Sequence, residues 1–192
     1  MHDVPYFDRF APLYDWVLPS TDGAPIESGL ALADGSVEQV LDVGGGTGRV
    51  GGSVDTVPIV FDASRPMLAR ARTKGFSTIQ GDARSIPVAT GGVDAAVSVD
   101  AVHHLPDLES VLSEVARVLR PGGVVVIRDF DPTTLRGRAL AGAEHLVGFE
   151  STFHSADEVA ASLAQAGLEP TVRERGFTYT VVGKRVAEQS PE

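Results

Sequence analysis

The chain has 192 residues, a mass of 20.1 kDa and 43% apolar residues, enough for one domain with a buried core. This composition excludes a disordered chain, a collagen-like repeat and a coiled coil. No apolar run reaches the roughly 18–20 residues of a membrane span, and the first residues lack the pattern of a signal peptide. The absence of cysteine excludes disulfides and thiolate metal sites, so we expect a cytoplasmic protein.

The charge balance is acidic, because 26 aspartates and glutamates oppose 16 lysines and arginines and give a net charge of −10. A net-negative chain gains nothing from a phosphate backbone unless its bases cluster, so we expect no nucleic-acid binding without a partner. The same composition, with Lys74 and Lys184 as its only lysines, is also typical of proteins from very salty cytoplasms. We favour salt adaptation as the reason for the acidity.

The N-terminal residues 1–35 are rich in aromatic side chains and interrupted by prolines, and we predict that they form a helical lid segment. From residue 36 onward, short apolar runs alternate with helical patterns. The predicted strands are Val37–Val43, Val57–Phe61, Phe76–Gln80, Val93–Val99 and Val124–Asp129.

Three helical segments accompany these strands. The first begins at Ser64, a candidate N-cap, and the last begins at a capping box of Ser155 and Glu158. Their predicted extents are 64–74, Leu108–Leu119 and 155–166. Residues 121–123 turn the chain into the fifth strand, and the extended runs Glu169–Arg175 and Phe177–Gly183 form a final hairpin.

This order predicts an α/β fold with a single-domain, doubly wound, mostly parallel seven-stranded sheet and a C-terminal antiparallel hairpin. The domain covers residues 36–185, with a substrate-side insertion at 131–154 and a tail at 186–192. In such sheets, ligands bind beyond the carboxyl ends of the strands, where the strand order reverses.

The first predicted strand ends in Asp42, which is followed by the glycine-rich turn 44–48. Glycine lets a ligand approach the backbone closely and adopts positive φ without strain. Residues 46–51 also satisfy the dinucleotide fingerprint G-x-G-x-x-G. In that fingerprint the strand runs directly into the first glycine, whereas here an acid at the strand end would repel a diphosphate and favour a cation. We therefore disfavour binding of a nicotinamide or flavin dinucleotide.

Two further acids follow the next strands. Asp62 ends the second strand, where a carboxylate can accept both hydrogens of a ribose diol, although it could instead cap the next helix. Asp82 follows the third strand and could accept from an exocyclic amine, although Gly81-Asp82 is also a common turn pair. Together with Asp42, these acids are predicted to lie at one edge of the sheet.

These residues resemble the class I S-adenosylmethionine-dependent methyltransferases, in particular the branch that includes the ubiquinone and menaquinone C-methyltransferases. The five motifs that carry the resemblance are residues 41–48, 60–68, 81–87, 94–98 with 103–107, and 118–123. The resemblance implies S-adenosylmethionine as cofactor and methyl transfer by in-line displacement. One departure is the stretch between Gly48 and Asp62, which is about one helical turn shorter than usual, so we expect a stunted helix there.

The resemblance also implies roles for the glycine-rich turn and the second strand. Gly44 and Gly46 would pack on the methionine part and the ribose of the cofactor. Asp42 would meet the amino end of the cofactor through the loop. Asp62, with Ala63 beside it, would bind the ribose diol.

Further cofactor contacts are implied at three other places. Asp82 and the Ala83 amide would bind the adenine edge, and the backbone of Asp100 and Ala101 would flank the sulfonium. Tyr14, in the opening segment, would close over the cofactor.

Two adjacent histidines, His103 and His104, follow the fourth strand and are the candidates for a general base beside the methyl group. Either histidine could instead cap the following helix. Asp129 and Asp131, at the end of the fifth strand, could form a metal site with His103. No segment has ligand spacing such as H-E-x-x-H, so we predict no metal.

The sequence therefore predicts a methyltransferase acting on a small-molecule acceptor, quinone-like or another metabolite. Residues 1–35 and 131–154 are the segments left to shape an acceptor pocket, which suits a small acceptor. One alternative is an RNA- or protein-modifying methyltransferase that works with a small activator subunit. Another is a module that binds the cofactor without turnover.

Overall fold

The structure, a computed structural model, describes Asp8 and residues 21–146, 148–149 and 151–186. The strands are β1 (Val40–Val43), β2 (Ile59–Asp62), β3 (Thr78–Gln80), β4 (Val93–Val99), β5 (Leu119–Phe130), β6 (Glu169–Glu174) and β7 (Thr178–Lys184). The helices are α1 (Ala24–Leu30), α2 (Arg65–Thr73), α3 (Leu108–Val118), α4 (Leu135–Leu146) and α5 (Ala156–Gln165). None of the described helices has the length and apolar character that crossing a bilayer requires.

All seven strands belong to one sheet, in the order β3-β2-β1-β4-β5-β7-β6. The first five strands pair in parallel, and β7 pairs antiparallel with both β5 and β6. The predicted sheet with its C-terminal hairpin is therefore confirmed. Because β2 and β4 lie on opposite sides of β1, the strand order reverses there, and the crevice beyond the carboxyl end of β1 is the expected ligand position.

The central strands are buried on both faces, so successive residues of one strand enter different cores. Val40 packs with Ile26 and Leu30 of α1, whereas Leu41 packs in the cluster that includes residues of α3 and α5. Because helices cover both faces of the sheet, side chains on both faces of a central strand are buried, and the strand sequences are therefore almost continuously apolar. Helix α1 lies within the predicted lid segment 1–35, yet it packs against the sheet as part of the core.

The start of β1 differs from the prediction. β1 begins at Val40 rather than Val37, because the Asp94 carboxylate accepts hydrogen bonds from the N–H groups of Glu38 and Gln39 at 2.9 and 2.8 Å. A side chain therefore satisfies the backbone donors that strand pairing would otherwise use.

The start of β5 also differs. β5 begins at Leu119 rather than Val124, so the turn predicted at residues 121–123 is wrong, and these residues are part of the strand. Leu119 pairs with Val93, and a shift in register separates this pair from the next one. Gly122 has a φ of 77°, which glycine adopts without strain, so the irregularity costs little.

The connection between β1 and β2 contains a single 3-10 turn, Val50–Gly52, which confirms the expected stunted helix. The Phe76 ring packs tightly against this connection. A Cβ atom added to Gly48 would lie 2.6 Å from the ring, and one added to Gly51 would lie 2.3 Å from it. The two glycines are therefore needed for this close approach.

Two helix N-termini follow the predicted capping chemistry. At α2, the Ser64 hydroxyl accepts a hydrogen bond from the Met67 N–H at 3.3 Å. At α5, the Ser155 hydroxyl accepts from the Glu158 N–H at 3.3 Å, and the Glu158 carboxylate accepts from the Ser155 N–H at 2.7 Å. Each cap satisfies donors that have no partner inside the helix.

We predict that Ser155→Ala lowers the free energy of unfolding by about 1 kcal/mol, because it removes the acceptor of the capping box. Urea unfolding followed by circular dichroism measures the change. Ser162→Ala is the matched control, since it removes a hydroxyl from the interior of the same helix. Equal stability of the Ser155 variant and the wild type would contradict the assigned cap.

Candidate active site

A cavity lies beyond the carboxyl ends of β1, β2 and β4, at the point where the strand order reverses. It encloses about 550 Å³ of space that no atom fills, its open mouth included. Eight of the residues singled out by sequence line it: Gly44, Gly46, Asp62, Ala63, Ala83, Asp100, Ala101 and His104. The structure thus brings most of the predicted site together.

The glycine-rich turn forms one wall of the cavity. Gly44 and Gly46 have φ values of 72° and 55°, in the region that favours glycine. The N–H groups of Gly44 and Gly45 both donate to the Phe61 carbonyl, at 2.9 and 3.2 Å. A Cβ at Gly44 would lie 2.8 Å from the Cβ of Ala101, so a larger residue would close the narrow space between β1 and β4.

The Asp62 carboxylate joins this turn to the end of β2. One of its oxygens accepts from the Gly46 N–H at 2.9 Å, and the other accepts from the Ser64 N–H at 2.7 Å. Burial raises the pKa of Asp62, and the hydrogen bonds from these N–H groups oppose that effect. Because Ser64 caps α2, the alternative that Asp62 is the cap is wrong, and its carboxylate instead holds two walls of the cavity together.

Asp42 lies beneath the turn rather than in the cavity. It is fully buried, and among the described residues neither carboxylate oxygen has a hydrogen-bond partner. A Cβ added to Gly45 would lie 2.4 Å from an Asp42 oxygen, so the backbone of the turn covers the carboxylate directly. Burial, reinforced by the charge of Asp62 and opposed by that of Arg49, raises the pKa of Asp42 to about 7.

Asp100 directly follows β4 and has a φ of 51°, an uncommon conformation for a residue other than glycine. Its N–H donates to the Arg128 carbonyl at 2.9 Å, and its carboxylate accepts from the Arg49 guanidinium at 2.8 Å. Sequence reasoning assigned no role to Arg49. The ion pair connects the glycine-rich turn to β4 across the cavity wall, so Arg49 belongs to the site.

Asp82 lies beside the cavity without lining it, whereas its neighbour Ala83 does line it. The Arg84 side chain donates to both oxygens of the Asp82 carboxylate, with distances of 2.6–3.2 Å. These hydrogen bonds lower the pKa of Asp82 to about 2. The carboxylate that was predicted to receive an exocyclic amine is therefore paired with a cation within its own turn.

One described residue of the N-terminal segment contacts a residue that lines the cavity. Asp8 accepts a hydrogen bond from the hydroxyl of Ser64, which lines the cavity, at 2.6 Å. Tyr14, the predicted lid residue, lies outside the described residues. Its role stays a prediction.

The two histidines occupy different environments. His104 lines the cavity, whereas His103 is 3% exposed and does not reach it. The His103 ring lies 2.6 Å from the Asp129 carboxylate through Nδ1 and stacks on Phe153 with ring centroids 4.4 Å apart. Burial lowers the pKa of His103, but the charge and hydrogen bond of Asp129 and the charge of Glu144 outweigh it and raise the pKa.

Side chains from the 131–154 segment complete the surroundings of the histidines. The Ser151 hydroxyl donates to the Glu144 carboxylate at 2.5 Å and lies 3.2 Å from His104 Nδ1. The Phe149 ring lies 5.4 Å from the ring of His104. Sequence reasoning missed these residues, because no motif links them to the histidines, which lie 40 or more positions earlier.

Comparison with known proteins identifies the family of this architecture. Residues 41–127 match the model of a family described as "Methyltransferase domain". The chain is 31% identical to a phosphatidylethanolamine N-methyltransferase from Cereibacter sphaeroides over 195 aligned positions, which cover 91% of this chain and 92% of that protein.

Other relatives are considerably longer than this chain. The malonyl-[acyl-carrier protein] O-methyltransferase of Xylella fastidiosa is 33% identical over 162 aligned positions, which cover 78% of this chain. The match spans 55% of that relative, little more than half of its length.

Solved structures share the fold at lower sequence identity. One of them is the complex between the Haloferax volcanii Trm112 methyltransferase activator and its methyltransferase. It superimposes with a TM-score of 0.75 at 20% identity, covering 94% of this chain and 98% of that one.

We predict that Asp42→Asn raises the free energy of unfolding at pH 8 and leaves it nearly unchanged at pH 4.5. The folded carboxyl group binds its proton more tightly than the unfolded one, so stability falls as pH rises from about 4 to about 7. The ionised form costs the folded state on the order of 4 kcal/mol above that window, part of which the neutral amide avoids.

Urea unfolding at the two pH values measures this difference. Asp55→Asn, which makes the same substitution at an exposed aspartate, is the control. A variant that is no more stable than the wild type at pH 8 would show that Asp42 is not held as an unpaired buried acid.

Proposed function

We propose that this chain, which belongs to the class I S-adenosylmethionine-dependent methyltransferases, transfers a methyl group from that donor to a small-molecule acceptor. The observation that carries the proposal is the cavity in which the glycine-rich turn and the Asp62 carboxylate face each other beyond β1 and β2. When bound, the donor supplies an electrophilic methyl group on a positively charged sulfur.

The residues of the cavity have the properties that this donor needs. Gly44 and Gly46 leave open space at positive φ, where a methionine chain and a ribose can approach the backbone. Each oxygen of the Asp62 carboxylate accepts a hydrogen bond from one backbone N–H and has a further lone pair that can accept from a ribose hydroxyl. Asp42, behind the turn, contributes negative charge toward a cationic donor without touching it.

The remaining residues proposed to contact the donor lie along the same edge of the sheet, apart from Tyr14. Ala63 lies beside the ribose site, and Ala83, with Asp82 behind it, forms the adenine side. Asp100 and Ala101 line the end of the cavity toward His104, where the sulfonium would lie. Tyr14 would close over the donor from the N-terminal segment.

The protein's part in catalysis is alignment in a dry site. In-line displacement needs the nucleophile, the methyl carbon and the sulfur on one line, and orientation of this kind contributes roughly 7–11 kcal/mol in favourable cases. The 131–154 segment covers the histidine end of the cavity, which helps to exclude water there. His104 is the residue proposed to contact the acceptor, and His103 positions it from behind.

At a finer level, we place the chain in the branch that includes the ubiquinone and menaquinone C-methyltransferases, with a quinone-like or other metabolite as acceptor. The small size of the 131–154 segment supports an acceptor of low molecular weight. Curated relatives named for transfer to oxygen and to nitrogen indicate that the fold accepts different nucleophilic atoms.

A second candidate is an RNA- or protein-modifying methyltransferase that works with a small activator subunit. The likeness to the methyltransferase in the Trm112 complex, which extends over 94% of this chain, favours it. A stoichiometric small protein that co-purifies with the chain would support this second candidate.

Transfer of a tritiated methyl group from S-adenosylmethionine to a cell extract distinguishes the candidates. We expect the label in the metabolite fraction when the intact chain is present. Label in the RNA or protein fraction would overturn the small-molecule proposal. Stabilisation by the donor without label in any fraction would indicate a binding module without turnover.

We predict that Asp62→Asn weakens donor binding at least about tenfold, equivalent to about 1.4 kcal/mol, because the amide accepts fewer hydrogen bonds than the carboxylate. Asp62→Ala should abolish the rise in melting temperature that the donor produces. Thermal-shift titration and calorimetry measure both effects. Asp55→Asn is the control, and unchanged donor affinity in both Asp62 variants would exclude the assigned ribose site.

A further inference from the structure

Next to the donor cavity, three side chains of the kinds that ligate metals come together from two parts of the chain. His103 and His104 lie in the turn after β4, and Glu144 lies in α4. One nitrogen of each ring and one oxygen of the carboxylate all lie within 4.8 Å of one another. His104 also lines the cavity, so the cluster adjoins the site already described.

We propose that His103, His104 and Glu144 bind a divalent transition-metal ion, Zn²⁺ being the best match, at the acceptor end of the cavity. Two imidazoles and one carboxylate form a ligand set that suits Zn²⁺ or Fe²⁺ and suits Mg²⁺ poorly. Three protein ligands leave a coordination position open, which is the arrangement of a catalytic rather than a structural zinc site.

The distance between His103 and Glu144 supports this assignment. Nε2 of His103 lies 3.7 Å from Oε1 of Glu144, too far for a direct hydrogen bond. Two ligands on one tetrahedral zinc ion, each about 2.0–2.1 Å from it, are about 3.3 Å apart. A small inward movement of the Glu144 side chain is therefore sufficient to hold an ion between the two atoms.

The surroundings of His103 are those of a metal ligand. Its Nδ1 lies 2.6 Å from the Asp129 carboxylate, which can only accept a hydrogen bond, so Nδ1 is the donor. In the neutral ring, the form that binds a metal, the lone pair then lies on Nε2, the nitrogen nearest Glu144. Metal-ligating histidines commonly donate the N–H of their other ring nitrogen to a carboxylate. This hydrogen bond fixes the orientation of the ring and increases the basicity of the ligating nitrogen. Stacking on Phe153 restricts the ring further.

The second oxygen of Glu144 is also held. The Ser151 hydroxyl donates to Oε2 at 2.5 Å and lies 3.2 Å from Nδ1 of His104, so it links the carboxylate to the second histidine. Oε1, the oxygen on the His103 side, is then the one presented to an ion. Ser151 is buried, which makes this arrangement rigid.

Charge gives an independent reason for a cation here. Asp129 is 1% exposed, and Glu144 is mostly buried. Among the described residues, both carboxylates lie beside the His103 ring, and neither forms an ion pair with a lysine or an arginine. Two largely buried carboxylates with one histidine need additional positive charge, which a divalent ion supplies.

The inference deepens the proposed function and rests on it in one respect: the open coordination position would receive an oxygen atom of the acceptor. Coordination would hold that oxygen toward the cavity and favour its ionised form. The acceptor class is then a small molecule with a hydroxyl or carboxyl group.

Isothermal titration of the intact chain with ZnCl₂ tests the site, after chelator treatment and removal of the chelator. We expect one Zn²⁺ per chain, and we expect Co²⁺ in its place to produce visible absorption bands of a low-coordinate site. Glu144→Gln and His104→Gln should each weaken Zn²⁺ binding at least about tenfold. Both are partly exposed positions, so folding is less at risk than at buried His103.

His145→Gln is the matched control, because His145 neighbours Glu144 on the same helix but is exposed and contacts the Ala141 carbonyl at 2.7 Å. Absence of Zn²⁺ binding would overturn the proposal, and so would binding that neither Glu144→Gln nor His104→Gln weakens. Thermal shift with S-adenosylmethionine on the same samples separates the two claims. A donor shift without Zn²⁺ binding refutes the metal site alone, and Zn²⁺ binding without a donor shift refutes the donor site alone.

Discussion

The hydrogen bonds of one carboxylate organise the edge of the sheet that borders the cavity. Asp62 accepts from the N–H of Gly46 in the turn after β1 and from that of Ser64 at the start of α2. The two walls of the cavity are therefore fixed relative to each other by the same side chain that is proposed to bind the ribose. This constraint makes the site rigid before a ligand arrives, which lowers the entropic cost of binding.

The same edge of the sheet concentrates buried negative charge at a cost to stability. Asp42 has no partner in the part of the chain that the structure describes, and its pKa of about 7 reflects the loss of water around it. A buried group that lowers the stability of the fold is commonly found at a functional site, where a bound ligand supplies the partner that the group lacks. A cationic donor near Asp42, and a metal ion between His103 and Glu144, are both consistent with that principle.

The sequence was informative wherever local chemistry decides the outcome. The glycine-rich turn, the Ser64 cap and the capping box at Ser155 were all predictable, because positive φ and orphan helix donors demand particular residue types. The exact strand ends were not. β1 starts late because Asp94, on the neighbouring strand β4, accepts from the two N–H groups that precede β1, and such a contact between distant residues leaves no local pattern.

By itself, then, the sequence determined the αβ order, the parallel sheet and the acids and glycines at the edge that borders the cavity. Only the tertiary structure decided how the two histidines differ. They are adjacent in a 3-10 turn, whose three residues per turn direct neighbouring side chains to different sides, so one ring lines the cavity and the other meets Asp129. Glu144 and Ser151 join them through the packing of α4 and the loop after it, which no spacing in the sequence encodes.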